Sequence, residues 1–316
     1  IVQDLNQLLY ILLLGLPIAV AAAGVGGYLL ARRALAPVDR MAERARFINA
    51  ERLNDRLPVD NPHDEVGRLA TVFNETLTRL EQSFEQMRRF TSDASHELRT
   101  PLTAIRSVGE VGLRGRRDDV AYREIIGSML EEVDRLALLV DRLLTLSRAD
   151  MGQAQLSVDV VDIPELAEEV AEQLGVLAEE KHQSIDVRFE IVPRWAGDRV
   201  VLRQALLNLV DNAIKYSPVG GKIEIRAAQV PEGIAIDVTD TGPGIPADLQ
   251  SRIFDRFYRV DKARSRENGG TGLGLAIAKW AVEVNGGRLT LEPANGGVGS
   301  CFRITLVHTA VAEYAI

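Results

Sequence analysis

The chain opens with a long apolar run and then changes to a pattern of amphipathic helices. No charged residue occurs from Leu5 to Ala31, a stretch of 27 residues between Asp4 and Arg32. About 20 apolar residues span a bilayer as a helix, so this run predicts one membrane-spanning helix. Arginines follow the run, and cytoplasmic flanks of membrane helices are rich in arginine. The residues after 32 are therefore expected in the cytoplasm.

Beyond the membrane run, apolar residues recur at steps of three and four, which is the helical period. A first stripe comprises Leu35, Val38, Met41, Ala45 and Ile48, and a second comprises Val66, Leu69, Phe73, Leu77, Leu80 and Phe84. A polar connector containing prolines separates the two stripes. Neither helix has a core of its own, so we expect each to pair with a copy from a second chain.

Two further apolar stripes predict a helical hairpin. The first comprises Phe84, Met87, Phe90, Ala94, Leu98, Leu102, Ile105 and Val108, and the second comprises Ile126, Met129, Val133, Leu136, Val140, Leu143 and Ser147. A break at Gly112–Asp119 separates them. Two such hairpins bury their stripes as a four-helix bundle, so we expect a homodimer.

From about residue 154 the pattern mixes strands with helices, which is typical of an α/β domain with a sheet packed on helices. The predicted strands are Leu156–Val161, Ser184–Ile191, Lys222–Ala228, Ile234–Thr239, Arg288–Leu291 and Ser300–Val307. The predicted helices are Ile163–Glu180, Val200–Tyr216 and Leu273–Val284.

Composition argues against a nucleic-acid partner, an internal disulfide and a zinc site. The 316 residues include 37 Lys and Arg against 45 Asp and Glu, a net charge of −8, which argues against nucleic acid as a partner. The one cysteine, Cys301, cannot form an internal disulfide, and no Cys/His cluster has zinc spacing. The chain begins with Ile1 rather than Met. We therefore expect a fragment that lacks an earlier membrane helix and an extracytoplasmic sensing region.

One histidine is placed for chemistry. His96 lies two residues from both Ala94 and Leu98, so it points away from the apolar stripe of its helix. Glu97 follows it directly, and Pro101, which cannot donate to the carbonyl of Glu97, predicts a bend. An outward imidazole beside a carboxylate can act as a nucleophile or base near neutral pH. The alternative is a solvated surface histidine.

A polar helix face suits a metal-bound polyphosphate. Asn208, Asn212 and Lys215 share this face at positions i, i+4 and i+7. An amide oxygen can ligate Mg²⁺, and a lysine can balance phosphate charge. The alternative is that the face is only solvated.

Two glycine-containing stretches flank a charged connector. In the first, Asp240 follows a strand and could, if buried, accept the exocyclic amine of adenine, while Gly242 and Gly244 let the backbone approach a ligand closely. The alternative for this stretch is a turn. The second, Gly270-Thr271-Gly272-Leu273-Gly274, opens a helix whose free N–H groups attract phosphate.

Taken together and in this order, these stretches resemble those of the sensor histidine kinases of two-component systems. Ser95-His96-Glu97-Leu98-Arg99-Thr100-Pro101-Leu102 resembles their phosphoacceptor box. The three later stretches resemble the N, G1 and G2 boxes of the Bergerat ATP-binding fold, which these kinases share with gyrases, Hsp90 and MutL. Ile253-Phe254-Asp255-Arg256-Phe257-Tyr258-Arg259 resembles their F box. Pro37 and Asp64-Glu65-Val66-Gly67-Arg68-Leu69 resemble the HAMP linker, with a generic coiled-coil stalk as the alternative.

The resemblance covers roughly residues 32–308 and implies a multidomain architecture. It comprises a transmembrane helix (1–31), a helical HAMP-like linker (32–85), a dimerisation and histidine phosphotransfer hairpin (86–150), an α/β sandwich ATP-binding domain (151–310) and a tail (311–316). The segment from Arg259 to Asn268 is expected to be a mobile lid ordered by ATP.

The resemblance also implies the site. His96 attacks the γ-phosphate of ATP·Mg²⁺ while Glu97 holds or deprotonates the other ring nitrogen. Asn212 is the implied Mg²⁺ ligand and Asp240 the implied adenine reader. The implied phosphate contacts are Asn208, Lys215, Arg259 and the loop of Gly270, Thr271, Gly272, Leu273 and Gly274, with Tyr216 beside the nucleotide.

The implied protein is a homodimeric kinase of the bacterial inner (cell) membrane with cytoplasmic catalytic domains. It passes the phosphoryl group to an aspartate of a response regulator. The family's H-E-x-x-T pattern implies that Thr100 also serves regulator dephosphorylation; the alternative is that Thr100 bonds back to the carbonyl of His96 and eases the Pro101 bend. Two other functions remain open: a Bergerat-fold ATPase that drives a mechanical clamp, and a non-catalytic ATP-gated scaffold.

Overall fold

The computed structural model describes residues 2–49, 52–115, 118–150, 156–260, 270–293 and 299–307. The N-terminal part consists of three long helices: α1 (Val2–Phe47), α2 (Glu65–Leu113) and α3 (Asp119–Asp150). The C-terminal part comprises β1 (Asp159–Val161), α4 (Ile163–Glu180), β2 (Ser184–Phe189), β3 (Trp195–Gly197), α5 (Arg199–Tyr216), β4 (Lys222–Val230), β5 (Gly233–Asp240), α6 (Gly274–Val284), β6 (Arg288–Glu292) and β7 (Cys301–Val307). Residues 261–268 of the predicted lid lie outside the described residues, and so does the predicted tail (311–316).

Helix α1 is continuous through Pro17 and Pro37. Its Leu13–Phe47 part is long and apolar enough to cross a membrane by length and composition. Large apolar side chains from Leu13 to Leu30 are exposed in the single chain. A helix in lipid has no need to bury such side chains against protein, which agrees with the predicted span.

The chain divides into two compact units, Ile1–Thr91 and Ser92–Ile316. In the first unit, Met41, Leu57 and Ala70 are buried together. The Asn74 side chain donates to the carbonyl of Leu57 at 2.9 Å and accepts from its N–H at 2.8 Å, which fixes the connector against α2. A Cβ on Gly67 would lie 1.7 Å from the carbonyl oxygen of Asn61, so only glycine fits there.

The part of helix α2 that belongs to this unit keeps much of its predicted apolar stripe exposed in the single chain. Leu77 is buried, whereas Leu69, Phe73, Leu80 and Phe84 are exposed. Exposed apolar side chains at helical spacing leave a face that a second helix could cover.

The hairpin of the second unit turns where the sequence predicts a break. Helix α2 continues through Pro101 to Leu113, and α3 begins at Asp119. Small residues at the closed end let the helices approach, since a Cβ on Gly112 would lie 3.2 Å from the Ile125 side chain. Among the described side chains of α3, Leu139 and Leu146 are buried, and the predicted stripe omitted both. Those two share a cluster with Leu273 of the C-terminal domain, and Leu98 of α2 packs against the same cluster.

The C-terminal domain packs its helices on a mixed sheet of order β2-β4-β5-β7-β6, in which only β2 and β4 are parallel. Strand β4 alternates, so that Ile223, Ile225 and Ala227 face the core. The core lies between this face of the sheet and helices α4, α5 and α6. On the same sheet Arg303 pairs with Asp237 at 2.7 and 2.8 Å.

Two predicted strands are clearly shorter in the structure than predicted, and one strand was missed. The strand predicted for Leu156–Val161 forms only at Asp159–Val161, because its partner β3 has three residues. Strand β3 is too short to show alternation, and its Trp195 is buried. A Cβ on Gly197 would lie 1.9 Å from the Trp195 ring, so glycine is required beside it. The strand predicted to reach Ile191 ends at Phe189.

Candidate functional site

His96 lies exposed on α2, as the apolar pattern predicts. Glu97, beside it, is half-buried, and its Oε1 is 3.8 Å from Nη1 of Arg259. The Arg259 side chain is only 8% exposed. The structure therefore pairs Glu97, the neighbour of the candidate nucleophile, with Arg259, the last residue of the stretch that resembles the F box.

Thr100 lies one turn beyond His96 on the same helix. Its hydroxyl donates to the carbonyl of His96 at 3.3 Å. Thr91 and Thr103 make the same i to i−4 bond at 2.9 and 2.8 Å, so this bond is ordinary behaviour for threonine in α2. Because a hydroxyl also accepts hydrogen bonds, the bond leaves Thr100 able to hold a water.

Helix α5 supplies the predicted amide and ammonium face. Its start is fixed by Asp198, whose carboxylate accepts from the N–H of Val201 at 3.0 Å. Asn208 is buried and donates to the carbonyl of Gln204 at 2.7 Å. A Cβ on Gly274 would lie 3.1 Å from Asn208 Oδ1, so this amide lies against the start of α6.

The other two members of the face differ in their partners. Lys215 Nζ is 2.6 Å from Asp211 Oδ2, so a carboxylate of the same helix balances its charge. Asn212 is half-buried, and within the described residues its amide makes no hydrogen bond. Its oxygen is thus available to a ligand, as a metal-binding role requires.

Asp240 ends strand β5 and is 3% exposed. Its Oδ1 accepts from the N–H groups of Gly242 at 2.7 Å and Ser300 at 3.2 Å. Burial raises the pKa of Asp240, and these hydrogen bonds oppose the rise. A carboxylate has about four acceptor positions, so the two bonds leave room for an N–H of a ligand.

Glycines bring Tyr216 and Asp240 together. A Cβ on Gly242 would lie 2.8 Å from Asp240 Oδ1 and 2.9 Å from the carbonyl oxygen of Tyr216. Gly244 adopts a φ of +74°, which L side chains rarely tolerate. The end of α5 and the loop after β5 therefore form one wall of the candidate site.

The glycine-rich loop packs on the F-box stretch. Gly272 has a φ of +70°, and a Cβ there would lie 2.8 Å from the carbonyl carbon of Phe257. Phe257 N–H donates to the carbonyl of Gly272 at 2.9 Å. The Leu273 side chain is fully buried, so only its backbone can face a phosphate. The N-cap residue Leu273 makes no side-chain capping hydrogen bond, which leaves N–H groups at the start of α6 for an anion.

Sequence reasoning missed that the hairpin takes part in this site. Arg142 Nη1 donates to Thr271 Oγ1 at 3.0 Å. Around this bond, an apolar cluster joins the hairpin to the start of α6. Its members are Leu139, Leu146, Leu273, Ala276 and Ile277, with Leu98, Leu143 and Phe257 packed against them. The seven-residue step from Leu139 to Leu146 was a signal, but it does not tell which helix or domain covers that face.

Three family descriptions match consecutive parts of the chain. Residues 29–82 match the HAMP domain, and residues 86–152 match the His Kinase A (phospho-acceptor) domain. Residues 197–310 match the histidine kinase-, DNA gyrase B- and HSP90-like ATPase.

Relatives match most of the chain. Sensor protein IrlS of Burkholderia pseudomallei is 37% identical over 270 residues, covering 85% of this chain and 58% of IrlS. Sensor protein CutS of Streptomyces coelicolor is 35% identical over 295 residues, covering 93% of this chain and 70% of CutS. The chain thus spans between 58% and 70% of the length of these two relatives.

Solved structures resemble the fold. Histidine kinase AdeS of Acinetobacter baumannii has a TM-score of 0.56 and 27% identity, covering 68% of this chain and 98% of AdeS. Histidine kinase ThkA, solved in complex with the response regulator protein TrrA, has a TM-score of 0.58 and 26% identity. That match covers 78% of this chain and 68% of the solved one.

Proposed function

Because the chain belongs to the sensor histidine kinases, we propose that it phosphorylates its own His96 from ATP and passes the phosphoryl group to an aspartate of a response regulator. The observation that carries this proposal is the pairing of Glu97 with Arg259 beside an exposed His96. It joins the phosphoacceptor helix to the nucleotide-binding domain within one compact unit.

The nucleotide would lie between the wall formed by the end of α5 with the loop after β5 and the glycine-rich loop that packs on the F-box stretch. Asp240 would accept the exocyclic amine of adenine, with Tyr216, Gly242 and Gly244 beside the base. The loop from Gly270 to Gly274 would hold the phosphates through backbone N–H groups at the start of α6. Asn208, Lys215 and Arg259 would be the further phosphate contacts. Lys215 would share its charge between Asp211 and the nucleotide.

Asn212 fits a magnesium ligand. Mg²⁺ at such sites takes one or two protein oxygens together with substrate phosphates and water. Among the described residues no group of three His, Cys, Asp or Glu side chains could hold a metal ion, so the proposed Mg²⁺ site relies on an amide oxygen together with the phosphates. Bound Mg²⁺ would neutralise phosphate charge. Asn212→Ala should remove metal-dependent ATP binding, and a titration with wild-type Mg²⁺ dependence would contradict the assignment.

The chemistry at His96 is a phosphoryl transfer. A ring nitrogen forms a bond to the γ-phosphorus, and the bond from that phosphorus to the bridging oxygen breaks, so ADP leaves with the electron pair. The proton on the other ring nitrogen passes to Glu97. In this structure the same carboxylate pairs with Arg259 through Oε1. Positioning and charge neutralisation supply most of the catalysis.

Exposed apolar side chains on the hairpin support a homodimer. Ile126, Val133 and Val140 lie at seven-residue steps on α3 and are exposed in the single chain. A second hairpin would bury them in a four-helix bundle. A chain beginning near Asp64 should be dimeric by light scattering at micromolar concentration, and a stable monomer would remove the bundle from the account.

The same proposal includes anchoring in the bacterial inner (cell) membrane by α1, with the catalytic domains cytoplasmic. Arg32 and Arg33 directly after the apolar run support this orientation. The response regulator is proposed as partner because the similar kinase ThkA was solved with one.

One incubation with γ-labelled ATP separates the proposed kinase from its alternatives. Acid-labile, base-stable label on the protein is expected, because phosphohistidine has that stability. Free phosphate without labelled protein would indicate an ATPase that drives a clamp. ATP binding with neither product would indicate a non-catalytic scaffold.

A further inference from the structure

Arg142 is fixed at the glycine-rich loop by the packing of its own helix. Its Nη1 donates to Thr271 Oγ1 at 3.0 Å. Leu139 and Leu146, three residues before and four after it, are buried in the cluster that includes Leu273. Residues at these steps share a helix face, so the apolar cluster directs the guanidinium toward the loop.

The guanidinium lacks a full countercharge within the described residues. None of the ion pairs there includes Arg142, and Thr271 is its hydrogen-bond partner. Asp211 and Asp141 act on it electrostatically, but Asp211 is bonded to Lys215 at 2.6 Å. Burial lowers the pKa of Arg142, which reflects the cost of desolvating this cation. A half-buried cation bonded to a neutral hydroxyl gains free energy when an anion arrives.

We propose that Arg142 is a phosphate-binding residue which the hairpin helix α3 supplies to the nucleotide site. The inference rests on the proposed function, because the anion is the polyphosphate of ATP on the loop from Gly270 to Gly274. A phosphate on this loop lies next to Thr271 and therefore within reach of a guanidinium 3.0 Å from the Thr271 hydroxyl. A guanidinium has five N–H donors, so several remain for phosphate oxygens.

Phosphate binding by Arg142 would couple ATP binding to the packing of the hairpin on the C-terminal domain. If Arg142 binds the polyphosphate only while the cluster holds the hairpin against α6, ATP favours this docked arrangement. By linkage, whatever stabilises docking then raises ATP affinity by the same factor. A structural contact alone would give no dependence on the number of phosphates.

The test compares nucleotides in the full chain in detergent. Arg142→Gln should weaken ATP binding about tenfold or more, because a hydrogen bond to a charged group is lost. The loss should shrink from ATP to ADP to AMP as the phosphate charge falls. Arg142→Lys, which keeps the cation, should restore part of the ATP affinity.

A matched control is available two turns earlier on α3. Arg135 lies on the exposed surface and pairs with Glu132 at 2.9 Å, so Arg135→Gln should leave all three affinities unchanged. Equal losses for ATP and AMP in Arg142→Gln, or no gain from Arg142→Lys over Gln, would overturn the assignment. Unchanged ATP affinity in Arg142→Gln would overturn it while leaving the proposed kinase intact. Failure of the unaltered chain to bind ATP would overturn both.

Discussion

Replacing Gly272 by alanine tests whether the glycine-rich loop works through its contact with the F-box stretch. Gly272 and Gly286 have nearly the same φ, +70° and +74°. A Cβ on Gly272 would lie 2.8 Å from the Phe257 carbonyl carbon and 3.0 Å from the Tyr258 carbonyl oxygen, whereas a Cβ on Gly286 meets nothing within 4 Å. Gly286→Ala is therefore a control for backbone strain alone.

The two substitutions differ in expected magnitude. A left-handed backbone costs an L residue about 1–2 kcal/mol, and both variants incur this cost. Gly272→Ala adds overpacking against backbone that cannot move cheaply, about 1–3 kcal/mol more. The total is about 2–5 kcal/mol at Gly272 against about 1–2 kcal/mol at Gly286. The overlap is relieved only if the loop moves away from Phe257, which breaks the 2.9 Å hydrogen bond between Phe257 N–H and the Gly272 carbonyl.

The assay pairs thermal melting of the full chain with ATP affinity from calorimetric titration. Gly286→Ala should lower the melting temperature modestly and leave ATP affinity unchanged. Gly272→Ala should lower the melting temperature further and weaken ATP binding, since the displaced loop no longer presents its N–H groups. Wild-type ATP affinity in Gly272→Ala, or equal effects of both variants on ATP binding, would show that the loop does not depend on its contact with Phe257.

Two further predictions concern single side chains. Burial raises the pKa of Asp240, so the folded chain holds this proton more tightly than the unfolded chain, and stability falls as pH rises from the ordinary carboxyl range through the raised pKa. Asp240→Asn should therefore flatten the pH dependence of the melting temperature without lowering that temperature at neutral pH. The same variant should lose ATP affinity. A lower melting temperature with intact ATP binding would contradict this prediction. Thr100→Ala should retain most autophosphorylation but lose most dephosphorylation of a purified phosphorylated regulator; equal losses of both rates would favour the backbone-bonding role.

The predicted fold class is confirmed where local signals are strong. Helix α4 begins and ends at the predicted residues, and Asp162 caps it at the predicted boundary, with Pro164 in its first turn. The kinase family and its helical hairpin and α/β domain are confirmed by the matched descriptions. The dimeric bundle, the domain boundaries and the roles of the site residues stay predictions.

The features that the sequence did not predict depend on contacts between residues that are distant in the sequence. Strand β3 carries Trp195, which is buried in the core. A strand of three residues is too short to show the alternation of apolar and polar residues that predicts a strand. The bond from Arg142 to Thr271 spans 129 positions, so no local pattern predicts it. By contrast, the pairing of Lys215 with Asp211 is an i, i+4 contact that the sequence already permits.

The central claim is that His96 carries the phosphoryl group. The most direct measurement is incubation of the full chain and of its His96→Gln variant with γ-labelled ATP, with ATP affinity measured on both. We expect acid-labile, base-stable label on the unaltered chain and none on the variant. ATP affinity should be the same in each, because His96 lies exposed on α2 and outside the proposed nucleotide contacts. Acid-labile label persisting on the His96→Gln variant would contradict this claim.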